Sequence, residues 1–265
     1  MSGIYEQALG ADFGRLQPEV QQYFSLQPGS GNYGVGTGTF DVAGCPQPWM
    51  RPLLSLASSE EAFFPEYGEQ VPFRIENHAQ LDPFGRSSLT ARRQIFFPSR
   101  TRLFQDTTSL GRPQAAGSAD PNRNSNSDQA RGASSAGRLH RTNPSALVDY
   151  VGKHHRLLTD LAVEVTDNGL LRGVSQASRL LAGPIRLPLP PLLDAKAYAQ
   201  QWWDEGAKKH RIQVKVIQPQ VGVVLVYAGS FDYELIPYPQ SEAAAHGVPG
   251  SLPAYAWPQR WESRL

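Results

Sequence analysis

Alternation of apolar and polar side chains is the feature of this sequence that most constrains its fold. In Val71 to Leu81 every second residue belongs to one mostly apolar face, and Leu89 to Phe97 repeats the pattern after a turn signal at Asp82-Pro83-Phe84-Gly85. A period of two is typical of β-strands that bury one face, and two such runs around a short turn predict a hairpin. The sequence therefore predicts a β-rich protein.

Strand-like patterns recur along most of the remaining chain. They are found, in order, at Thr39 to Val42, Arg100 to Thr107, Ala146 to Val165, Leu170 to Leu180 and Ile212 to Leu235. The apolar phase shifts within the third of these, which we attribute to a bulge or bend near residues 152–156. A glycine series before the first indicates close approach of another backbone. We expect about eight antiparallel strands in a curved sheet or barrel-like half-barrel.

Two parts of the chain have helical spacing instead. Ile4 to Leu26 predicts one or two short helices, because apolar residues recur there at three- and four-residue intervals and Pro18 suits a helix start. Asp194 is a suitable N-cap for a later helix through about Gly206. That helix would bury the stripe Ala195, Tyr198, Ala199, Trp202 and Gly206. The predicted fold class is α+β, mainly β, with N-terminal short helices and one late helix.

Two segments have compositions that do not support a packed core. Ser109 to Ser145 has no aromatic residue and is rich in Ser, Asn, Gly, Ala and Arg, so we predict a disordered insertion at 109–145. The tail at 237–265 is rich in proline. The sequence thus predicts a single β-rich domain at 1–236, interrupted by the insertion and followed by the tail.

Composition and charge exclude several classes of partner. The formal net charge is +1 over 265 residues, so no strong field recruits nucleic acid or an anionic membrane. Cys45 is the only cysteine, which excludes an internal disulfide and fits a reducing compartment. The N-terminal residues lack the apolar core of a signal peptide, and no apolar run is long enough for a membrane span. We therefore expect a cytoplasmic protein that binds no nucleic acid.

The common catalytic and cofactor motifs are absent from the sequence. Gly34-Val35-Gly36-Thr37-Gly38 precedes a strand instead of opening a helix, and no GKS or GKT follows it, which argues against a phosphate-binding loop. The six histidines show no metal-ligand spacing, and the adjacent pair His154-His155 would face opposite ways in a strand. There is no GxSxG elbow. We expect neither a cofactor nor a metal.

Four polar residues fall in phase with apolar neighbours and are the candidate ligand-binding residues: Asn77, Arg93, Tyr150 and His154. An arginine on a buried face needs an acceptor, because an unpaired buried charge is costly. The structural interpretation, slightly favoured, is that Asp149, Glu76 or backbone carbonyls hold it. The functional interpretation is that a curved sheet encloses a cavity in which the arginine anchors a carboxylate or phosphate beside a histidine.

Several motifs together resemble an uncharacterised bacterial family, domain of unknown function 4166. They are IYEQALGADFGRLQPEVQQYF, the Gly36-Thr37-Gly38 stretch, VPFRIENHAQLDPFGR, VDYVGKHHRL and FDYE, and they extend over most of the chain from Ile4 to Glu234. The resemblance implies no activity. It implies that the family's shared polar positions fall at Glu76, Asn77, Arg93, Asp149, Tyr150, Gly152 and His154. The chain departs from the expected family pattern at His78 and Ala228.

Three functions follow as hypotheses. The leading one is a noncatalytic binding module whose cavity takes a small anionic or apolar ligand, such as an acyl or isoprenoid carboxylate. The second is a proton-transfer enzyme with His154 as general acid or base and Arg93 as oxyanion stabiliser. The third is an accessory scaffold that docks an oxidoreductase partner through the tail, where Trp257, Trp261 and Leu265 lie four residues apart. For these tail residues, docking on the protein's own surface or disorder is favoured over partner binding.

Overall fold

Ten antiparallel strands of the chain close into a barrel in the computed structural model, which describes residues 2–111, 147–182, 185–190, 194–239, 253 and 260–262. The strand order is β6-β5-β4-β3-β2-β1-β11-β10-β9-β7, and pairing of β6 with β7 completes the ring. The short strand β8 pairs with the end of β7. The strands are β1 Asn32–Gly44, β2 Tyr67–Leu81, β3 Ser87–Phe97, β4 Arg100–Leu110, β5 Leu147–Val151, β6 Leu157–Val165, β7 Leu171–Ala182, β8 Ile185–Pro188, β9 Lys196–Asp204, β10 Lys209–Gln218 and β11 Gly222–Pro237.

Short helices precede and follow β1. The predicted N-terminal helices are present, joined by a 3-10 helix at Gly10–Arg15. The α-helices are α1 Ile4–Leu9, α2 Pro18–Phe24 and α3 Arg51–Ala57. Pro18 occupies the first turn of α2, as its fixed φ and missing N–H favour. Among the helices in the described ranges, none is long and apolar enough to cross a membrane.

The barrel interior is packed by the alternating residues that the sequence patterns identify. Phe40 of β1 stacks on Phe73 of β2 with ring centroids 3.8 Å apart, and Phe231 of β11 packs against the same ring. The glycines of β1 allow this packing: a Cβ at Gly38 would lie 2.0 Å from the backbone oxygen of Ser230. The predicted close approach of a second backbone is therefore confirmed at Gly38.

Three parts of the predicted fold are wrong. The barrel is closed and has ten strands, whereas we predicted about eight in an open or half-closed sheet. The phase shift at residues 152–156, for which we expected a bulge or bend within one strand, is a turn between the two strands β5 and β6. The predicted late helix is the strand β9, because Ala197, Ala199 and Gln201 also alternate on one face and β7 and β10 pair with the two edges of β9.

The predicted insertion and tail are described only at their margins. Residues 112–146 lie outside the described residues, whereas Ser109 and Leu110 belong to β4. Of the tail, residues 240–252, 254–259 and 263–265 lie outside them. The described part includes Arg260, Trp261 and Glu262, which contact the outer wall of the barrel.

Candidate functional site

A cavity of about 240 Å³ lies inside the barrel and is mostly apolar. Leucine, valine and alanine side chains of β6, β9 and β10 form one part of its wall, including Leu161, Ala199 and Val214. The N-terminal helices contribute Tyr5 and Tyr23. This volume is somewhat below the range typical of small-molecule sites, about 300–1,000 Å³, which limits a ligand to a small molecule. The cavity is thus of a size and character suited to a small, partly apolar molecule.

An ion pair lies on one wall of the cavity. Nη1 of Arg93, on β3, is 2.8 Å from Oδ1 of Asp106, on β4, and the side chains of the two residues are 9% and 19% exposed. The guanidinium also lies over the rings of Phe104 and Tyr227, 5.2 and 5.9 Å from their centroids. Arg93 is therefore on the inner face, as its phase predicts, and a carboxylate of the protein already pairs with it.

A second carboxyl group, that of Asp149 on β5, lines the same cavity. It accepts a hydrogen bond of 3.2 Å from the hydroxyl of Thr108, its register partner on β4. Enclosure by the barrel, and then the negative charge of Asp106, raise the pKa of the Asp149 carboxyl to about 8. Asp149 is therefore mostly protonated at neutral pH.

Asn77, on β2, lines the cavity with an amide that makes no hydrogen bond of good geometry with any described residue. Its side chain is 1% exposed, and within the described part of the chain neither Nδ2 nor Oδ1 has such a partner. The hydroxyls of Tyr23 and Tyr233 nevertheless lie close enough for the amide to offset part of the rise that burial causes in the pKa of both. In register, Asn77 lies opposite Ala91, and Ala91 lies opposite Asp106, so a small side chain separates the amide from the ion pair. A buried amide without a partner costs free energy, which a ligand with matching groups would recover.

The other two candidate residues lie outside the cavity. Tyr150 is fully buried on the outer face of β5, where its ring packs against Trp261 at 5.4 Å and its hydroxyl accepts the backbone N–H of Glu262. His154, in the turn after β5, has Nδ1 2.7 Å from a carboxylate oxygen of Glu60. The expectation that His154 and Arg93 share one cavity is wrong, because the turn at residues 152–156 places His154 outside the barrel wall.

The tail segment around Trp261 covers this outer surface. The Glu262 carboxylate is 2% exposed and binds Arg179 of β7 at 2.6 Å and Arg186 of β8 at 3.1 Å. Nδ1 of His155 donates to the carbonyl of Arg260 at 2.8 Å. The described tail residues therefore dock on the protein's own surface, in agreement with the favoured interpretation of the tail.

The sequence patterns did not identify several polar cavity residues, among them Asp106, Thr108 and the tyrosines Tyr5 and Tyr23. One signal was available, since Phe104, Asp106 and Thr108 share a face of β4 by simple alternation. For the tyrosines there was none, because nothing in a short N-terminal helix shows which part of a distant barrel it contacts.

Comparison with known proteins places the chain in a family without identifying an activity. The family described as domain of unknown function (DUF4166) matches residues 16–115 and 115–231. An uncharacterized protein, YndH of Bacillus subtilis (strain 168), is 26% identical over 234 residues, which is 88% of this chain and 98% of that protein. No solved structure matches the chain significantly. The chain belongs to the DUF4166 family.

Proposed function

We propose that this protein is a binding module that holds a small, partly apolar molecule inside its barrel. The observation that carries the proposal is the mostly apolar cavity, whose polar side includes the buried amide of Asn77, which makes no hydrogen bond of good geometry to another described residue. An apolar body would be removed from water by the leucine, valine and alanine wall, and a polar end would meet Asn77 and the carboxyl groups.

Two of the four proposed ligand-binding residues are in a position to contact a ligand in the cavity. Asn77 and Arg93 line the cavity, whereas Tyr150 and His154 do not. The Asp106 carboxylate already pairs with the Arg93 guanidinium. An anionic ligand would therefore have to displace that carboxylate or share the guanidinium with it. The proposed site is therefore built on Asn77, with Arg93, Asp106 and Asp149 forming its polar side.

Native mass spectrometry of the protein purified from its own host tests the proposal. We expect a small molecule to accompany the wild-type chain and to be absent from Ala91→Phe, in which a ring fills the cavity next to Asn77. Val174→Phe is the matched control, because Val174 lies between two cavity residues of β7 and points to the outer face. The proposal fails if the wild-type protein carries no molecule and also takes up none from a panel of small amphiphiles.

A proton-transfer enzyme remains a second candidate, on different residues from those first considered. A carboxyl group with a pKa near the working pH, facing a cavity, is typical of a general acid or base, and Asp149 meets that description. If Asp149 removes and returns a carbon-bound proton of the ligand, the wild type incubated in deuterated water should release ligand that is heavier by the exchanged deuterium. Asp149→Asn should not catalyse this exchange.

A further inference from the structure

The charged groups that line the cavity are unequal in number within the described chain. Asp106 and Asp149 contribute two carboxyl groups, and Arg93 contributes one guanidinium. The guanidinium is bonded to Asp106 at 2.8 Å, whereas Asp149 has the neutral hydroxyl of Thr108 at 3.2 Å. With both carboxyl groups ionised the cavity would carry one uncompensated negative charge. Either a proton or a cation must neutralise it.

Among the described residues, the groups that face Asp149 supply no second cation. They are Asp106 on β4, Arg93 on β3, Tyr5 on α1 and Tyr227 on β11. Burial raises the pKa of both phenols, so they stay protonated and offer hydroxyl groups at neutral pH. In the protein without ligand, the Asp149 carboxyl therefore keeps its proton.

Asn77 is a second and independent indication of what the site accepts. Its Oδ1 is an acceptor with no donor, and the side chain is 1% exposed on the cavity wall. An ammonium group has three N–H donors and needs several acceptors once it leaves water. Around Asp149, the carboxylate and the hydroxyls of Tyr5 and Tyr227 provide acceptors of this kind, beside aromatic rings of the cavity wall. Asn77, three strands away on β2, offers a further acceptor elsewhere on the wall.

On the basis of the binding function proposed above, we propose that the ligand is a protonated amine with an apolar body, whose ammonium group pairs with the carboxylate of Asp149. Binding exchanges a proton for the ammonium group. The Asp149 carboxyl releases its proton to solvent, and the positive charge of the ammonium then neutralises the carboxylate. The apolar body lies against the leucine, valine and alanine wall. A carboxylate ligand would add negative charge to the site.

Calorimetry with three probes of equal chain length distinguishes the classes: octylammonium, octan-1-ol and octanoate. At pH 7 we expect octylammonium to bind at least about tenfold more tightly than either of the others. Titrations in buffers of different ionisation enthalpy should show release of nearly one proton for each octylammonium bound. Because binding requires ionised Asp149, with its pKa of about 8, octylammonium affinity should rise about tenfold from pH 6 to pH 7.

Asp149→Asn is the deciding variant, since asparagine resembles the protonated acid in shape and still accepts from Thr108. It should lose the preference for octylammonium over octan-1-ol, the proton release and the pH dependence. Asp41→Asn, at an exposed ion pair with Arg211, should change none of these. If octan-1-ol or octanoate binds the wild type most tightly, the amine proposal is overturned and the binding function stands. If no probe binds, the binding function itself is contradicted.

Discussion

Arg93 and Asp106 are bonded across neighbouring strands inside the barrel, with Nη1 of the arginine 2.8 Å from Oδ1 of the aspartate. The two residues are diagonal neighbours, two residues apart in register, since Arg93 is opposite Phe104 and Asp106 is opposite Ala91. The pair supports the interpretation in which an internal partner holds the buried arginine, although the partner is Asp106 and not Asp149 or Glu76. Such a pair costs desolvation energy, and removal of one member leaves the other charge uncompensated.

Arg93→Met is accordingly expected to destabilise the protein by roughly 3–5 kcal/mol, because it leaves the Asp106 carboxylate in the cavity without its cation. The double variant Arg93→Met/Asp106→Leu removes both charges and should recover most of the loss. Urea unfolding of the two variants and the wild type measures the difference. A single variant of near-native stability that no longer carries a ligand would instead show that Arg93 serves an anionic ligand.

Replacement of residues 112–146 by a short Gly-Ser linker is expected to leave the fold intact. Leu110 at the end of β4 and Leu147 at the start of β5 are register partners, so a tight turn can join them. The entropy of loop closure changes slowly with loop length, so we expect only a small change in the free energy of unfolding. Thermal unfolding should show a shift of the midpoint by only a few degrees. A fall of many degrees would mean that the segment packs on the barrel.

Alternation sufficed to predict most of the strands, but it could not predict closure of the barrel. Closure depends on pairing of β7 with β9, which bypasses β8, and on pairing of β1 with β11, in which Asn32 lies opposite Pro237. The segment that forms β9 satisfies both a helical stripe and a two-residue period. Hydrogen bonds to strands on both of its edges decide between them, and no local pattern contains that information.

The same limit explains which site residues the sequence could identify. Asn77 and Arg93 were placed correctly because the outer faces of β2 and β3 are more polar, so that phase distinguishes inside from outside. On β5 both faces are covered: Asp149 faces the cavity, and Val148 and Tyr150 face the docked Trp261. Both phases of β5 are therefore apolar, since Leu147 and Val151 lie on the inner side with Asp149, and alternation does not show which face lines the cavity. Only the position of the tail reveals this.

Asp149→Asn is expected to stabilise the protein in a pH-dependent manner. The pKa of the carboxyl is raised from an ordinary value of 3.8 to about 8 in the folded state, chiefly by burial. Its contribution to stability is therefore fully present below about pH 4 and is lost as the pH rises toward 8. Asparagine does not titrate, so the variant should exceed the wild type by an amount that grows over this range, on the order of a few kcal/mol. Urea unfolding at pH 4, 6 and 8 checks this, and a constant difference would contradict it.

The outer surface of the barrel that binds the described tail residues contains a buried histidine. Protonation of this histidine should weaken the docking of the tail on that surface. His155 is fully buried against Tyr150 and Trp261, its Nδ1 donates to the Arg260 carbonyl, and its Nε2 has no hydrogen-bond partner among the described residues. Burial lowers the pKa of the imidazole from 6.5 to about 4. The neutral ring therefore contributes stability that is fully present above pH 6.5 and is lost as the pH falls through about 4.

His155→Asn tests this prediction because it removes the titrating ring while keeping an N–H donor near the Nδ1 position. Asparagine also tolerates the left-handed backbone of residue 155, where φ is 53°. The wild type should lose on the order of 3 kcal/mol between pH 6.5 and 4 through this group, and the variant should not show that loss. His154→Asn, which changes the neighbouring ring bonded to Glu60, should retain the acid sensitivity of the wild type. Equal acid sensitivity in the wild type and His155→Asn would show that His155 does not control docking of the tail.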